Sequence, residues 1–190
     1  MNKEWKLKLQ MEFPFMKQNN VKEEHNIYRR WGFECSSGWY ELLRNCCQQI
    51  TDRYAEAGVP IDFVPAQIKE KFGTLRFYYG YEDAPCGIAA IDNLWDGTSI
   101  RFEPGNECDD EEKKKLRHDI AGIVRVAEER SKHTCEICSK QGIIRTDLSW
   151  IKTLCDSCYD ARKIAIEEKK KERAEKAKEI YEEIQEKKNE

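Results

Sequence analysis

Apolar residues recur at helical spacing through Trp39, Leu42, Leu43, Cys46, Ile50 and Tyr54. This stripe predicts a helix from about Gly38 to Ala57 that buries one face. Ser36 or Ser37 caps its start, and Gly58, with Pro60 just beyond, ends it. Helical phase puts only Cys46 squarely on the inner face, and Cys46 and the adjoining Cys47 both read as core or boundary residues rather than a redox pair. From Phe63 to Tyr81 the pattern changes to strict alternation. Gly73-Thr74 lies between two β-rich runs, a two-residue loop with glycine first, which is the type II′ pattern. That turn pairs Phe72 with Leu75, Lys71 with Arg76 and Glu70 with Phe77. Ile68, Phe72, Leu75, Phe77 and Tyr79 then share one face, and Gln67, Lys69, Lys71, Arg76 and Tyr78 share the other. Glu70 falls on the apolar face, where an acid is out of place. Either it sits at a sheet margin or pairs with a cation, or it is a functional carboxylate with a raised pKa.

A second apolar stripe, Leu116, Ile120, Ile123, Val124 and Ala127, predicts a helix running to about Lys132. Asp109 or Asp110 caps it. Between the hairpin and this helix lies a turn-rich insertion with Pro85, Gly87, Gly97, Pro104 and Gly105. Within it Ile88 to Trp95 reads as a helical turn and Thr98 to Phe102 as a strand. Met1 to Glu34 shows no sustained period and reads as irregular. Phe13-Pro14-Phe15-Met16 is an apolar patch there that packs on the domain. After Cys158 the chain is helix-forming to its end. Its last 32 residues carry ten charges of each sign in alternating Glu and Lys blocks, a pattern that supports a solvent-exposed helix. Ile164, Ile180, Tyr181 and Ile184 are too sparse to sustain a coiled-coil seam.

The cysteines change the picture most. Cys135 and Cys138 form one C-x-x-C pair, and Cys155 and Cys158 form another sixteen residues on. Two thiolates three positions apart grip one ion from a tight turn, and a second pair completes a tetrahedral set suited to Zn²⁺. All four ligands are cysteines, so no position is left for water, and the metal is structural. Two short β-rich runs around Asp147 fit a hairpin between the knuckles, and the second knuckle opens a helix. That order suggests a treble-clef-type site. His133 adjoins the first knuckle and reads as a surface residue. Cys35, Cys46, Cys47, Cys86 and Cys108 remain, mostly as buried thiols, with Cys86 and Cys108 placed to touch a second metal.

The net charge of −3 hides a segregation. Residues 82–112 hold ten acidic residues against Arg101 alone, a net of −9, so the rest of the chain carries +6. Asp92, Asp96, Asp109 and Asp110 lack the spacing of an EF-hand loop and read as a solvated acidic loop. The chain opens MNKEWKLKLQ, without the apolar stretch of a secretory signal, and no apolar run reaches the length of a membrane span. A reducing cell interior is the expected compartment, where C-x-x-C pairs bind metal.

Two phrase pairs, GWYELLRNCCQQI with QIKEKFGTLRFYY and AEERSKHTCEICSKQG with TLCDSC, resemble small proteins of phages and prophages that end in a zinc knuckle pair. The likeness covers about residues 31–81 and 120–160. The stretch CEICSKQGIIR with LCDSC is separately similar to the zinc finger of DksA/TraR-type transcription regulators, which contact RNA polymerase. The fold predicted is α+β. A small antiparallel sheet with helices spans residues 1–132, including the acidic insertion at 82–112. A treble-clef-like four-cysteine zinc module follows at 133–160, then a charged helical tail at 161–190. No nucleophile–base pair, glycine-rich phosphate loop or open metal site stands in the sequence, and the three histidines form no constellation, so no catalytic residue is assigned. The resemblance to phage proteins supplies context and no mechanism, and the leading reading is a regulatory zinc-binding protein of phage type acting on a host macromolecule. It would bind a host protein of the transcription or defence machinery in the host cytoplasm. The alternatives are a nucleic-acid or nucleotide binder using Gln67, Lys69, Lys71, Arg76 and Tyr78, and an enzyme using Glu70 or the acidic insertion.

Overall fold

The computed structural model describes residues 1–17, 32–86, 90–92, 99–101, 104 and 109–189. Among these, four α-helices and three small sheets make an α+β architecture. Helix α1 is Lys3–Glu12, α2 is Tyr40–Ala57, α3 is Glu111–Ser131 and α4 is Asp156–Asn189. The main sheet has the order β1-β2-β3, from Phe33–Glu34, Phe63–Lys71 and Thr74–Tyr81. Strands β4 (Ala90–Asp92) and β5 (Ser99–Arg101) pair with each other, as do β6 (Ile143–Arg145) and β7 (Lys152–Leu154).

The two predicted amphipathic helices form and bury the stripes that predicted them. Trp39, Leu43, Cys46, Ile50 and Tyr54 from α2 and its entry, and Leu116, Ile120, Val124 and Ala127 from α3, join Phe63, Ile68, Leu75, Phe77, Tyr79 and Tyr81 of the sheet in one core. Asp110 caps α3, its carboxylate accepting from the amides of Glu112 and Lys113. Helix α3 also closes the sheet. The amides of Leu75 and Phe77, which would face outward from edge strand β3, donate to Ser131 Oγ and Glu128 Oε1, each at 2.8 Å. An edge whose donors are already used cannot template another strand.

Several expectations are corrected. The main sheet is mixed, because the two-residue β1 runs parallel to β2; so short a strand leaves no period to read. The N-terminal stretch is partly helical. Asn2 caps α1, its side chain accepting from Trp5 N at 3.0 Å. Trp5 against Tyr40 and Glu12 against Arg44 then lay α1 along α2. Cys46 and Cys47 are both buried in the core. Neither Ser36 nor Ser37 caps α2 with its side chain. The helix is entered through a 3₁₀ turn at Ser37–Trp39, and the Ser36 hydroxyl donates to Glu136 instead. In the acidic insertion Ala90–Asp92 is a strand rather than a helical turn, paired across to the expected strand at Ser99–Arg101. His25, Arg29, Arg30, Asp96 and Cys108 lie outside the described residues.

The β2–β3 hairpin forms with its turn one residue earlier than predicted. Lys71 pairs with Thr74, Glu70 with Leu75 and Lys69 with Arg76, so Phe72-Gly73 is the loop. Both loop residues have left-handed φ, 52° and 74°, the type I′ signature rather than II′. Moving the turn by one residue changes each pairing partner by two positions. Two is the strand period, so every paired side chain keeps the face predicted for it; only Phe72 leaves the apolar face, for the loop.

Candidate metal centre and its junction with the hairpin

The first knuckle is a closed backbone turn. Cys135 N donates to Lys140 O at 2.7 Å, Ser139 N donates to Cys135 O at 3.0 Å, and Ser139 takes a left-handed φ of 66°. A bridge between Thr134 and Gln141 closes its base. The second knuckle joins β7 to α4. Tyr159 N donates to Cys155 O at 2.9 Å, the first turn of that helix. The β6–β7 ribbon between them brings the knuckles together, and the sulfurs of Cys135, Cys138, Cys155 and Cys158 lie within 4.8 Å of one another. Cys138 Sγ and Cys155 Sγ are 3.5 Å apart. Four sulfurs bound at about 2.3 Å around one ion would stand roughly 3.8 Å apart, so the donor set fits a tetrahedral metal. The Ser157 hydroxyl and the Cys158 amide at the start of α4 lower the pKa of the Cys155 thiol, while burial and the neighbouring thiols raise that of Cys158. A helix N-terminus favours thiolate, the form that ligates metal. Cys135 is fully buried, whereas Cys138 is exposed. His133 is exposed and stands outside this group.

The knuckles are joined to the main domain through a buried polar network that the sequence did not announce. Glu136, the residue after Cys135, is 1% exposed. Its Oε1 accepts from Ser36 N and Ser36 Oγ, both at 2.9 Å, and its Oε2 from Lys152 Nζ at 2.6 Å. Lys152 also reaches Glu70 Oε2 at 3.1 Å. Glu70, the misplaced acid of the hairpin, is 9% exposed and further accepts from Gly73 N at 2.7 Å and Trp150 Nε1 at 2.6 Å. It pairs with a cation, as one of the two expectations required. Both charges of Glu70 and Glu136 thus converge on one lysine, whose own pKa is raised by these carboxylates against the opposing effect of burial.

Backbone contacts reinforce the joint. Trp39 Nε1 donates to Thr134 O, Ser139 Oγ to Gly38 O and Gly38 N to Glu136 O, each at 2.8 Å. A Cβ on Gly38 would come within 2.5 Å of the carbonyl oxygens of Cys135 and Glu136, so only glycine lets the entry of α2 lie against the first knuckle. Glu136 lies inside the C-x-x-C, where an acid reads as surface. Only the buried amide and hydroxyl it meets, 100 residues earlier, reveal its role.

The hairpin candidates share a face but are engaged on it. Gln67 donates to Glu34 Oε2 at 2.6 Å, and Lys69 Nζ stands 5.0 Å from the centre of the Tyr78 ring. Lys71 Nζ stands 5.2 Å from the Phe72 ring, and Arg76 Nη1 donates to Thr74 Oγ1 at 2.6 Å. Tyr78 is 8% exposed. The start of the acidic insertion folds back on this side of the sheet, with Ala84–Cys86 against Gly80. Sequence reasoning also missed Arg117, which is buried with Asp62 and Asp83 as ion-pair partners and lies 4.1 Å from the Tyr81 ring centre.

No protein-family model matches the chain, and no curated protein or solved structure matches it significantly. No helix among the described residues is long and apolar enough to cross a membrane.

Proposed function

We propose that the chain is a zinc-stapled binding protein, with Cys135, Cys138, Cys155 and Cys158 holding one Zn²⁺ in a closed, treble-clef-like site. The observation that carries this is the convergence of four sulfurs from two knuckles. Four thiolates around a tetrahedral ion leave no position for substrate or water, so such an ion holds structure and performs no chemistry. Glu70 supports a non-enzymatic reading as well, since its oxygens are taken up by Gly73, Trp150 and Lys152. Elemental analysis of protein purified without chelator should find one zinc per chain, and protein that neither retains nor takes up zinc would overturn the assignment.

The partner in this proposal is a host macromolecule of transcription or defence machinery, contacted in the manner of a phage-encoded regulator. That part rests on the likeness of the helix, hairpin and knuckle phrases to small phage proteins and of the finger alone to DksA/TraR-type regulators. Capture of one defined host protein by the zinc-loaded chain, lost with Cys155→Ser, is the expected result. The nucleic-acid reading fares less well. A stacking platform needs an open aromatic face, and Tyr78 is 8% exposed with Lys69 Nζ 5.0 Å from its ring centre. Labelled single-stranded oligonucleotides titrated at low salt should show no difference between wild type and a Lys69→Ala/Lys71→Ala/Arg76→Ala variant.

A further inference from the structure

We propose that the metal centre is a lock on the β2–β3 hairpin, so that metal occupancy is read out at the Phe72-Gly73 turn. This inference rests on the zinc assignment above. Its starting point is the turn itself. Phe72 has φ 52°, a conformation that bulky residues rarely adopt without outside support. Asparagine, aspartate or glycine is the usual residue there.

Part of this support comes from the metal module, through Thr153, and part from Glu70 on β2, which Lys152 of the module holds in turn. Thr153 Oγ1 donates to Gly73 O at 2.6 Å, and Glu70 Oε1 accepts from Gly73 N at 2.7 Å. Both polar groups of Gly73 are therefore held. A Cβ on Gly73 would lie 3.3 Å from the Lys152 carbonyl carbon and 3.4 Å from Thr153 N, so the turn rests directly on β7. Thr153 in turn accepts from Glu136 N through its carbonyl at 3.0 Å. Glu136 and Thr153 lie within two residues of the ligands Cys135 and Cys155. The path from hairpin tip to metal is thus a short series of bonds through groups that are all buried. Lys152 runs a second strand of the same joint, from Glu70 on the hairpin to Glu136 on the knuckle.

Beyond these bonds and its pairing with β6, β7 has little apolar packing to hold it in place. The module's own buried cluster is Cys135, Leu154 and Cys155, with Leu148, Cys158 and Tyr159 packed around it. A cluster of that size does not fold unaided, and metal supplies the missing stability. Without metal, β7 and the first knuckle lose their fixed separation. Thr153 and Lys152 then cannot hold Gly73 and Glu70, and the left-handed Phe72 relaxes. The register at the tip goes with it, together with the spacing of Lys69, Lys71 and Arg76. The far end of the hairpin, paired through Phe63 and Tyr81 in the main core, is not part of the lock.

Amide hydrogen exchange on the full chain tests this, with zinc content measured on the same samples. Stripping zinc with a chelator should speed exchange across residues 70–76 by about tenfold or more, while Ile50 to Tyr54 in α2 stay protected. Restoring zinc should reverse it. If zinc binds and its removal leaves the tip as protected as before, the lock is overturned and the zinc site stands. If no zinc binds under any condition, both fall. Should stripping unfold α2 as well, zinc-loaded Thr153→Val decides. Full zinc content with exchange at Gly73 about tenfold faster supports the lock, and unchanged exchange there overturns it.

Discussion

The main core and the metal module bury side chains on very different scales. The first draws on α1, α2, β2, β3 and α3 and includes Trp39, Tyr54, Phe77 and Tyr81, all almost fully enclosed. The second encloses two cysteines and Leu154, while Ile137, Ile143, Ile144 and Trp150 around it stay exposed. At about 25 cal/mol per Å² of apolar surface, the first can meet the entropy of ordering its elements and the second cannot. On the zinc assignment proposed above, the module is held by its four thiolates and by polar bonds to its larger neighbour. A small unit can therefore be rigid without a hydrophobic core of its own if a metal and a buried polar joint replace it.

The sharpest way to break the comparison is Cys155→Ser. One lost ligand should abolish tight zinc binding, a contribution of about 10 kcal/mol or more in structural sites. The module should then unfold while the far-ultraviolet signal of α2 and α3 persists; elemental analysis and circular dichroism read the two effects. Phe77→Ala is the mirror experiment in the large core. It should cost about 3–5 kcal/mol in urea unfolding, with zinc content unchanged. Zinc lost along with that stability would mean the two units fold as one.

Lys152→Met addresses the joint. It leaves Glu70 and Glu136 buried without their shared cation, and about 3 kcal/mol of stability should go. Adding Glu70→Gln should restore part of it, and a double variant no better than the single would show that packing, not charge, is the cause.

The pH response of the large core is a milder test. Burial pushes the thiols of Cys35 and Cys46 up to about 12, against about 8.5 in an unfolded chain. The folded state then keeps protons that the unfolded state releases. The contribution is complete below about pH 8.5 and falls as pH rises toward 12, by up to about 1.4 kcal/mol per pH unit for each thiol. Urea midpoints should fall above about pH 9, and Cys46→Ala should flatten the decline. The smallest effect belongs to α4. Ile164, Ile180, Tyr181 and Ile184 are exposed along it, and truncation after Ile166 should change stability by less than about 0.5 kcal/mol. A larger loss would show that the helix packs against something.

Local pattern was sufficient wherever one period ran long enough. The stripes of α2 and α3, the Asp110 cap, the two faces of the hairpin and the four-cysteine set were all legible in that way. Alternation sets the face of a strand residue, and a turn misplaced by one residue leaves faces intact, so the hairpin reading survived its own error. The type of turn was not legible. Glycine fits the first place of a II′ loop and the second of a I′ loop equally well. What selects the second is Thr153 and Glu70 holding the peptide groups of Gly73.

What the sequence by itself determined, then, was the pair of amphipathic helices α2 and α3, the hairpin with its two faces, and the spacing of the four cysteines. These depend on periodicity and on ligand spacing, both properties of neighbouring residues. Tertiary structure alone decided the parallel strand β1, the helix α1, the burial of Arg117, and the Glu70–Lys152–Glu136 joint. Ser36 and Glu136 are 100 positions apart, Arg117 and Asp83 are 34 apart, and Lys152 and Glu70 are 82 apart, and no local pattern spans such separations. A charged side chain looks the same in the sequence whether it will face water or a buried partner. Only the fold, by removing the water, makes Glu70 and Glu136 need the one lysine between them.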